Sequence, residues 1–214
     1  MAASRHSLIA KEGWRIIFIS VVVVVILQHF YHHYADLFWF IPLLLLWFFR
    51  DPPRKLSSEP LGLLSPVDGE IVVAEAHPDP YLGRDAFLIR ICMSVTDIFS
   101  IRSVTEGKIV QQWLDPEDSD DEKGLAHAIQ IKTDENDDIM IVLRPGRFFK
   151  KLSCDAVIGQ RIGQGHRCGV IPFGSCVDVY VPENCGIKVA VGDHVKSGVS
   201  LLASLKIRAQ VSKD

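Results

Sequence analysis

The sequence predicts a mainly β domain carried behind an N-terminal hydrophobic helical hairpin. Three observations predict it. Two nearly pure apolar runs stand near the N-terminus, "IIFISVVVVVIL" at 16–27 and "LFWFIPLLLLWFF" at 37–49. Beyond residue 56 no long segment of 3.6-residue period appears; short β-branched runs alternate with clusters of Gly, Pro, Asp and Asn. Near the C-terminus a Gly-x-x-aliphatic-x-x-Gly pattern occurs twice, at Gly159, Ile162, Gly165 and at Gly192, Val195, Gly198.

Each apolar run is shorter than the roughly 20 residues of a spanning helix. A re-entrant or interfacial hairpin satisfies that length. So do two tilted helices completed by their Trp, Tyr and His flanks. A pair of buried core helices does not fit, because runs this pure have no polar face to show to water. A cleaved signal peptide does not fit either: a second apolar run follows, and no small-residue cleavage pattern precedes it. Arg5, Lys11 and Arg15 precede the first run, and Arg50, Arg54 and Lys55 follow the second. Positive charge on both outer flanks predicts that both ends stay cytoplasmic. Trp14, Trp39 and Trp47 suit the headgroup level, and His29, His32 and His33 the far interface. The segment "RDPPRKLSSEP" at 50–60 is the linker, which divides the chain into an anchoring hairpin at 1–56 and a β domain at 57–214.

Strands are predicted at "GEIVVAEA" (69–76), "AFLIRICMS" (86–94), "GKIVQQWL" (107–114), "HAIQIKT" (127–133) and "DIMIVLR" (138–144). The acidic run "DPEDSDDEKG" at 115–124 is expected to be a solvated loop rather than a metal site. A net charge of −3 with no basic stripe gives no footprint for nucleic acid. Five cysteines without C-x-x-C spacing point to reduced thiols, not to zinc or a disulfide framework.

In the repeated glycine pattern, Gly supplies positive φ and the aliphatic anchors the turn in the core. The pattern resembles the turns of barrel-sandwich domains, the fold of biotinyl and lipoyl carriers. A carrier needs a modifiable Lys in a Met-Lys-Met-like context, and none is present. The resemblance therefore concerns architecture alone.

Between "VIPF" and "VDVYVP" lies Gly174-Ser175. A Gly-Ser pair alone reads as a bulge or kink in a strand. In a strained turn, however, a Ser hydroxyl can press against the preceding carbonyl, and Gly174 has no Cβ to obstruct it. Attack would turn the Gly174–Ser175 amide into an ester. Elimination and hydrolysis would leave an N-terminal pyruvoyl group on 175–214 and a separate piece 1–174. A pyruvoyl carbonyl can condense with a substrate amine and act as an electron sink, the role that pyridoxal phosphate plays elsewhere.

From about Arg50 to about Ser204 the chain resembles the short, bacterial-type phosphatidylserine decarboxylases. The resemblance is carried by "FFRDPPR", "LLSPVDGEIV" (63–72), "RICMSVTDIFSIRSVTEGKI" (90–109) and, above all, "GQGHRCGVIPFGSCVDVYVP" (163–182). It implies a membrane-bound, self-cleaving proenzyme whose covalent pyruvoyl cofactor arises from Ser175, with the cut after Gly174. It places Asp68 in the self-processing apparatus, where a carboxylate can orient a proton acceptor for the hydroxyl. Arg102 is a supporting residue, and no metal is implied. The implied substrate is phosphatidylserine in the membrane; the products are phosphatidylethanolamine and carbon dioxide. The implied partners are the two fragments themselves, with no nucleic acid and with a homo-oligomer left open. The implied location is the cell membrane, with the β domain on its cytoplasmic side.

Several positions depart from the family pattern. Phe99 stands where the family has a His, and a phenyl ring cannot do imidazole's acid–base work. Ser100, Ile101 and Val104 replace Val, Asn and Pro, while Arg102 is kept. The stretch 115–128 has lost the family's acidic-Asn-Glu-Arg motif. "RPGRFFKKLSC" (144–154) keeps only Lys150-Lys151 and Cys154 of another, and Cys176 replaces an Arg. His127, His166 and His194 are candidates for a displaced imidazole. Two functions of different class follow: a self-processing decarboxylase, or a catalytically lapsed homologue acting as a membrane-tethered lipid-binding or regulatory protein.

Overall fold

A computed structural model describes residues 11–30, 38–50, 54, 57, 59–94, 96–115, 126–146, 153–154, 156–171 and 174–206. The chain divides into two compact units, Met1–Arg54 and Lys55–Asp214.

The first unit holds helix α1 (Lys11–Phe30) and helix α2 (Phe40–Phe48), one from each apolar run. They touch one another, and Trp39 Nε1 donates to Gln28 Oε1 at 3.4 Å. Ile17 and Val24 are buried, one heptad apart. Phe18, Ile19, Val22, Val23, Val25 and Ile26 stay exposed, a surface for which water is a poor solvent. Arg50 lies 4.8 Å over the Trp47 ring, a cation–π contact beside the second run. Among the described residues no helix is long and apolar enough to cross a membrane. His32, His33 and the acidic run after Asp115 lie outside the described residues.

Among the described residues the regular elements of the second unit are strands: β1 (Gly62–Leu64), β2 (Gly69–Ala76), β3 (Ala86–Cys92), β4 (Ser100–Arg102), β5 (Gly107–Asp115), β6 (Ala126–Lys132), β7 (Asp138–Arg144), β8 (Ser153–Cys154), β9 (Arg161–Ile162), β10 (Arg167–Val170), β11 (Cys176–Pro182), β12 (Gly186–Ile187), β13 (His194–Val195) and β14 (Leu201–Ser204). The mainly β, barrel-sandwich-like expectation holds, and the largest sheet is a curled half-barrel of eight strands. Its order is β13-β2-β3-β11-β7-β6-β5-β9; β1-β14-β12 and β4-β10-β8 form two small sheets.

The strand order is nearly its own mirror about β11 and β7. The sequence echo explains why. "SPVDGEIV" (65–72) leads into β2 as "SVTEGKIV" (103–110) leads into β5. Each strand has a register break after its Ile, between Ile71 and Val73 and between Ile109 and Gln111. The two glycine-flanked turns occupy the two sheet edges, with Ile162 and Val195 buried. All four of their glycines take positive φ, +87° and +69° in one and +93° and +70° in the other.

Period-two alternation fills both faces of the sheet. Ile71, Ile91, Val177 and Leu143 line one row across four strands, all fully buried. The opposite face holds Ala86, Leu88, Ala128, Met140, Val142 and Tyr180, covered by Tyr81, Leu82 and Trp113. With both faces covered, β11 is buried almost throughout.

The cysteine expectation is overturned. Cys92 and Cys176 form a disulfide, with Cα atoms 4.1 Å apart. They are 84 residues apart in sequence, but the β3–β11 register sets them directly opposite. Spacing along the chain carries no trace of that pairing, which belongs to register alone. Cys168 and Cys185 are free thiols.

Candidate active site

Gly174 closes the turn into β11 with φ of +72° and open space around its missing Cβ. Backbone conformation, not crowding, asks for glycine here. The corresponding turn in the other half carries Asn136 with φ of +67°. Correspondence extends to the next bond: Met93 N–H donates to the Ser175 carbonyl at 3.0 Å, as Thr133 N–H does to Asp137 at 2.9 Å. The Gly-Ser break therefore sits at a positive-φ turn at the head of a central strand.

Ser175 is fully buried, and its Oγ accepts a 3.0 Å hydrogen bond from the Gly146 N–H. Gly146 follows β7 and lies flat on the Gly174–Ser175 peptide. A Cβ on Gly146 would stand 2.4 Å from the Gly174 carbonyl oxygen, 2.6 Å from its carbon and 3.1 Å from the Ser175 nitrogen. A buried hydroxyl thus meets a backbone donor at the peptide bond that precedes it.

Asp68 is 7% exposed and accepts the Ser197 N–H at 2.7 Å, with the Ser197 hydroxyl bonded to the Pro66 carbonyl. Gly69 packs so closely that a Cβ there would lie 2.5 Å from the Cys92 carbonyl oxygen, and Cys92 is bridged to Cys176. Arg102 is buried; its Nη1 donates to the Gly165 carbonyl at 3.2 Å and its N–H to Pro66 at 2.8 Å. It braces the "SPVDG" turn from below. Phe99 is 8% exposed, and its carbonyl accepts the Ile171 N–H at 2.9 Å. Phe99 therefore lies against the segment that leads to Gly174.

The three candidate histidines do not converge on the serine. His194 is exposed, with Nε2 4.0 Å from Glu70. His166 is exposed too and engages Ser103 through its backbone. His127 is half-buried, and its Nε2 meets Gln112 Oε1 at 3.1 Å; burial lowers its pKa. It lies beside Leu143, which lies beside Val177, so the whole of β7 stands between it and β11. Among the described residues no imidazole is hydrogen-bonded to Ser175.

Two features escaped the sequence reading. Asp178, two residues after Cys176, is fully buried between Arg90 (2.6 and 2.7 Å) and Arg144 (2.7 Å). That bidentate clasp raises the Arg90 pKa against the opposing effect of burial. The signal was a charge inside each of three apolar strands, "LIRIC", "IVLR" and "VDVY". Gly146 was visible as the glycine of "RPG", but nothing local announced its neighbour.

Fold and site together define a mainly β protein with a buried serine at a glycine turn, at the head of its central strand. A family model described as phosphatidylserine decarboxylase matches residues 41–203. The phosphatidylserine decarboxylase proenzyme of Aromatoleum aromaticum is 34% identical over 211 residues, covering 94% of this chain and 97% of that protein. The proenzyme of Nitrosomonas eutropha is 35% identical over 209 residues, covering 94% and 97%. That of Neisseria meningitidis serogroup C is 34% identical over 214 residues, covering 95% and 80%. No solved structure matches. The chain belongs to the phosphatidylserine decarboxylase family.

Proposed function

We propose that this chain is a self-cleaving, membrane-associated phosphatidylserine decarboxylase. It cuts itself between Gly174 and Ser175 into 1–174 and 175–214, and Ser175 becomes a covalent pyruvoyl group. The observation that carries this reading is the buried Ser175 Oγ, hydrogen-bonded by Gly146 N–H at 3.0 Å beside the Gly174 carbonyl. Burial keeps bulk water away from that peptide, so the serine has no competing nucleophile. Asp68, already oriented by Ser197, orients the acceptor of the hydroxyl proton. Arg102 fixes the turn that carries Asp68. Once formed, the pyruvoyl carbonyl supplies an electron sink for a substrate amine.

The substrate is phosphatidylserine, and the products are phosphatidylethanolamine and carbon dioxide. The exposed aliphatic surface of α1 supports a place at the membrane, and the basic flanks support the cytoplasmic side. On that side the Cys92–Cys176 bridge meets a reducing thiol pool.

A second reading, a catalytically lapsed lipid-binding homologue, is favoured by Phe99. One experiment separates the two. Mass spectrometry of the reduced chain should show 1–174 together with a 175–214 fragment blocked at its N-terminus by pyruvoyl. Carbon dioxide release from phosphatidylserine vesicles should accompany it. A single uncut chain after reduction rules out the enzyme. A cut chain without release, restored by Phe99→His, establishes the lapsed homologue.

A further inference from the structure

We propose that the backbone N–H of Gly146 is a catalytic donor of the self-cleavage, and that its missing side chain is what lets the scissile peptide reach it. The inference rests on the self-cleavage reading above and adds a residue to it. In the first step Oγ bonds to the Gly174 carbonyl carbon and the C–N bond breaks; the hydroxyl proton passes through the base to the leaving nitrogen of residue 175, which becomes an amine and leaves the base free again. In the second step the base takes the Cα proton of residue 175. A Cα–Cβ double bond forms, and the Cβ–Oγ bond breaks with its electron pair moving to Oγ. That oxygen is now part of the Gly174 carboxylate. The dehydroalanine left behind rearranges to an imine, takes up one water and releases one ammonia to give the pyruvoyl.

Oγ is therefore the atom on which negative charge collects in the elimination. It already accepts the Gly146 N–H at 3.0 Å in a fully buried position. A fixed donor in a dry site stabilises such charge strongly. Met93 N–H, 3.0 Å from the Ser175 carbonyl oxygen, is placed for the charge that spreads there when the Cα proton leaves. The two donors differ in origin. Met93 has a counterpart in Thr133 of the other half, where Asp137 stands in the place of the serine; that bond belongs to the fold. The Gly146 donor reaches Oγ because the chain after β7 lies against Gly174, and only a residue without Cβ allows that approach.

The test compares newly synthesised wild type, Gly146→Ala and Gly107→Ala, following the cut by reducing mass spectrometry. Gly107 is equally crowded, with a Cβ 2.4 Å from the Lys132 carbonyl oxygen, but it lies on β5. The expected result is a loss of about a hundredfold in cutting rate for Gly146→Ala with Gly107→Ala near wild type. Cutting of Gly146→Ala at the wild-type rate, or no slower than Gly107→Ala, overturns the inference alone. An uncut wild type overturns the self-cleavage reading and this inference with it. If Gly146→Ala shows no thermal unfolding transition, hydrogen exchange at the Gly146 amide decides. Exchange about tenfold faster in Ser175→Ala than in newly synthesised, still uncut wild type supports the donor, and equal exchange overturns it.

Discussion

Replacing Asp178 by Ala tests whether the buried charge cluster holds β3, β7 and β11 together. Asp178 is fully buried and accepts three hydrogen bonds from two guanidinium groups. Removing one partner of a buried ion pair costs about 3–5 kcal/mol, because the remaining charge is left uncompensated. Here the side chains of Arg90 and Arg144 keep 32% and 26% of their exposure, so water recovers part of that loss. The lower end, about 3 kcal/mol, is expected. For a domain of this size that lowers Tm by about 6–12 °C. The assay is thermal unfolding in the Ser175→Ala background, which keeps the chain in one piece. Asp178→Asn should lose nearly as much, since it keeps the shape and discards the charge. Asp178→Leu with Arg90→Met and Arg144→Met should recover most of it. A shift under about 2 °C for Asp178→Ala would refute the reasoning and leave the cluster as a bystander.

Two further expectations concern pH. Burial lowers the His127 pKa, so its contribution to stability is present above the unfolded value and is lost as pH falls through the folded one. Between about pH 7.5 and pH 5, wild type should therefore lose more stability than His127→Gln, measured by denaturant unfolding. Burial raises the Cys185 thiol pKa to about 11. Its alkylation should stay slow at about pH 8.5 and climb as pH approaches that value, read by peptide mass spectrometry. The same shift makes its stability contribution complete below the unfolded thiol pKa and lost as pH rises toward the folded one.

What could be foreseen divides along a physical line. β2 and β7 match their sequence-predicted ranges, and β3, β5 and β6 match within two residues at either end, because alternation and turn chemistry are local. The glycine-flanked turns were visible for the same reason. Their positions at opposite sheet edges were not, since strand order is a long-range property. At the site, Ser175, Gly174, Asp68 and Arg102 were named from motifs. The contact that joins Gly146 to Ser175 spans 29 residues, and the one that joins Cys92 to Cys176 spans 84. Neither leaves a periodic mark. The disulfide also corrects the expectation of five reduced thiols, which drew on compartment and spacing when register was decisive.

The disulfide and the place of β11 bear on how a cut molecule could ever be remade. A chain severed before Cys176 would carry its central strand, β11, on the short piece, along with β12, β13 and β14. The native sheet would hold that piece by hydrogen bonds to β3 on one side and β7 on the other. After unfolding in reductant, renaturation would become a second-order encounter between two strangers, slowing with dilution. With Cys92–Cys176 intact the same recovery would remain first order and independent of concentration. One covalent bridge would thus decide whether denaturing the mature protein is a reversible event or a terminal one.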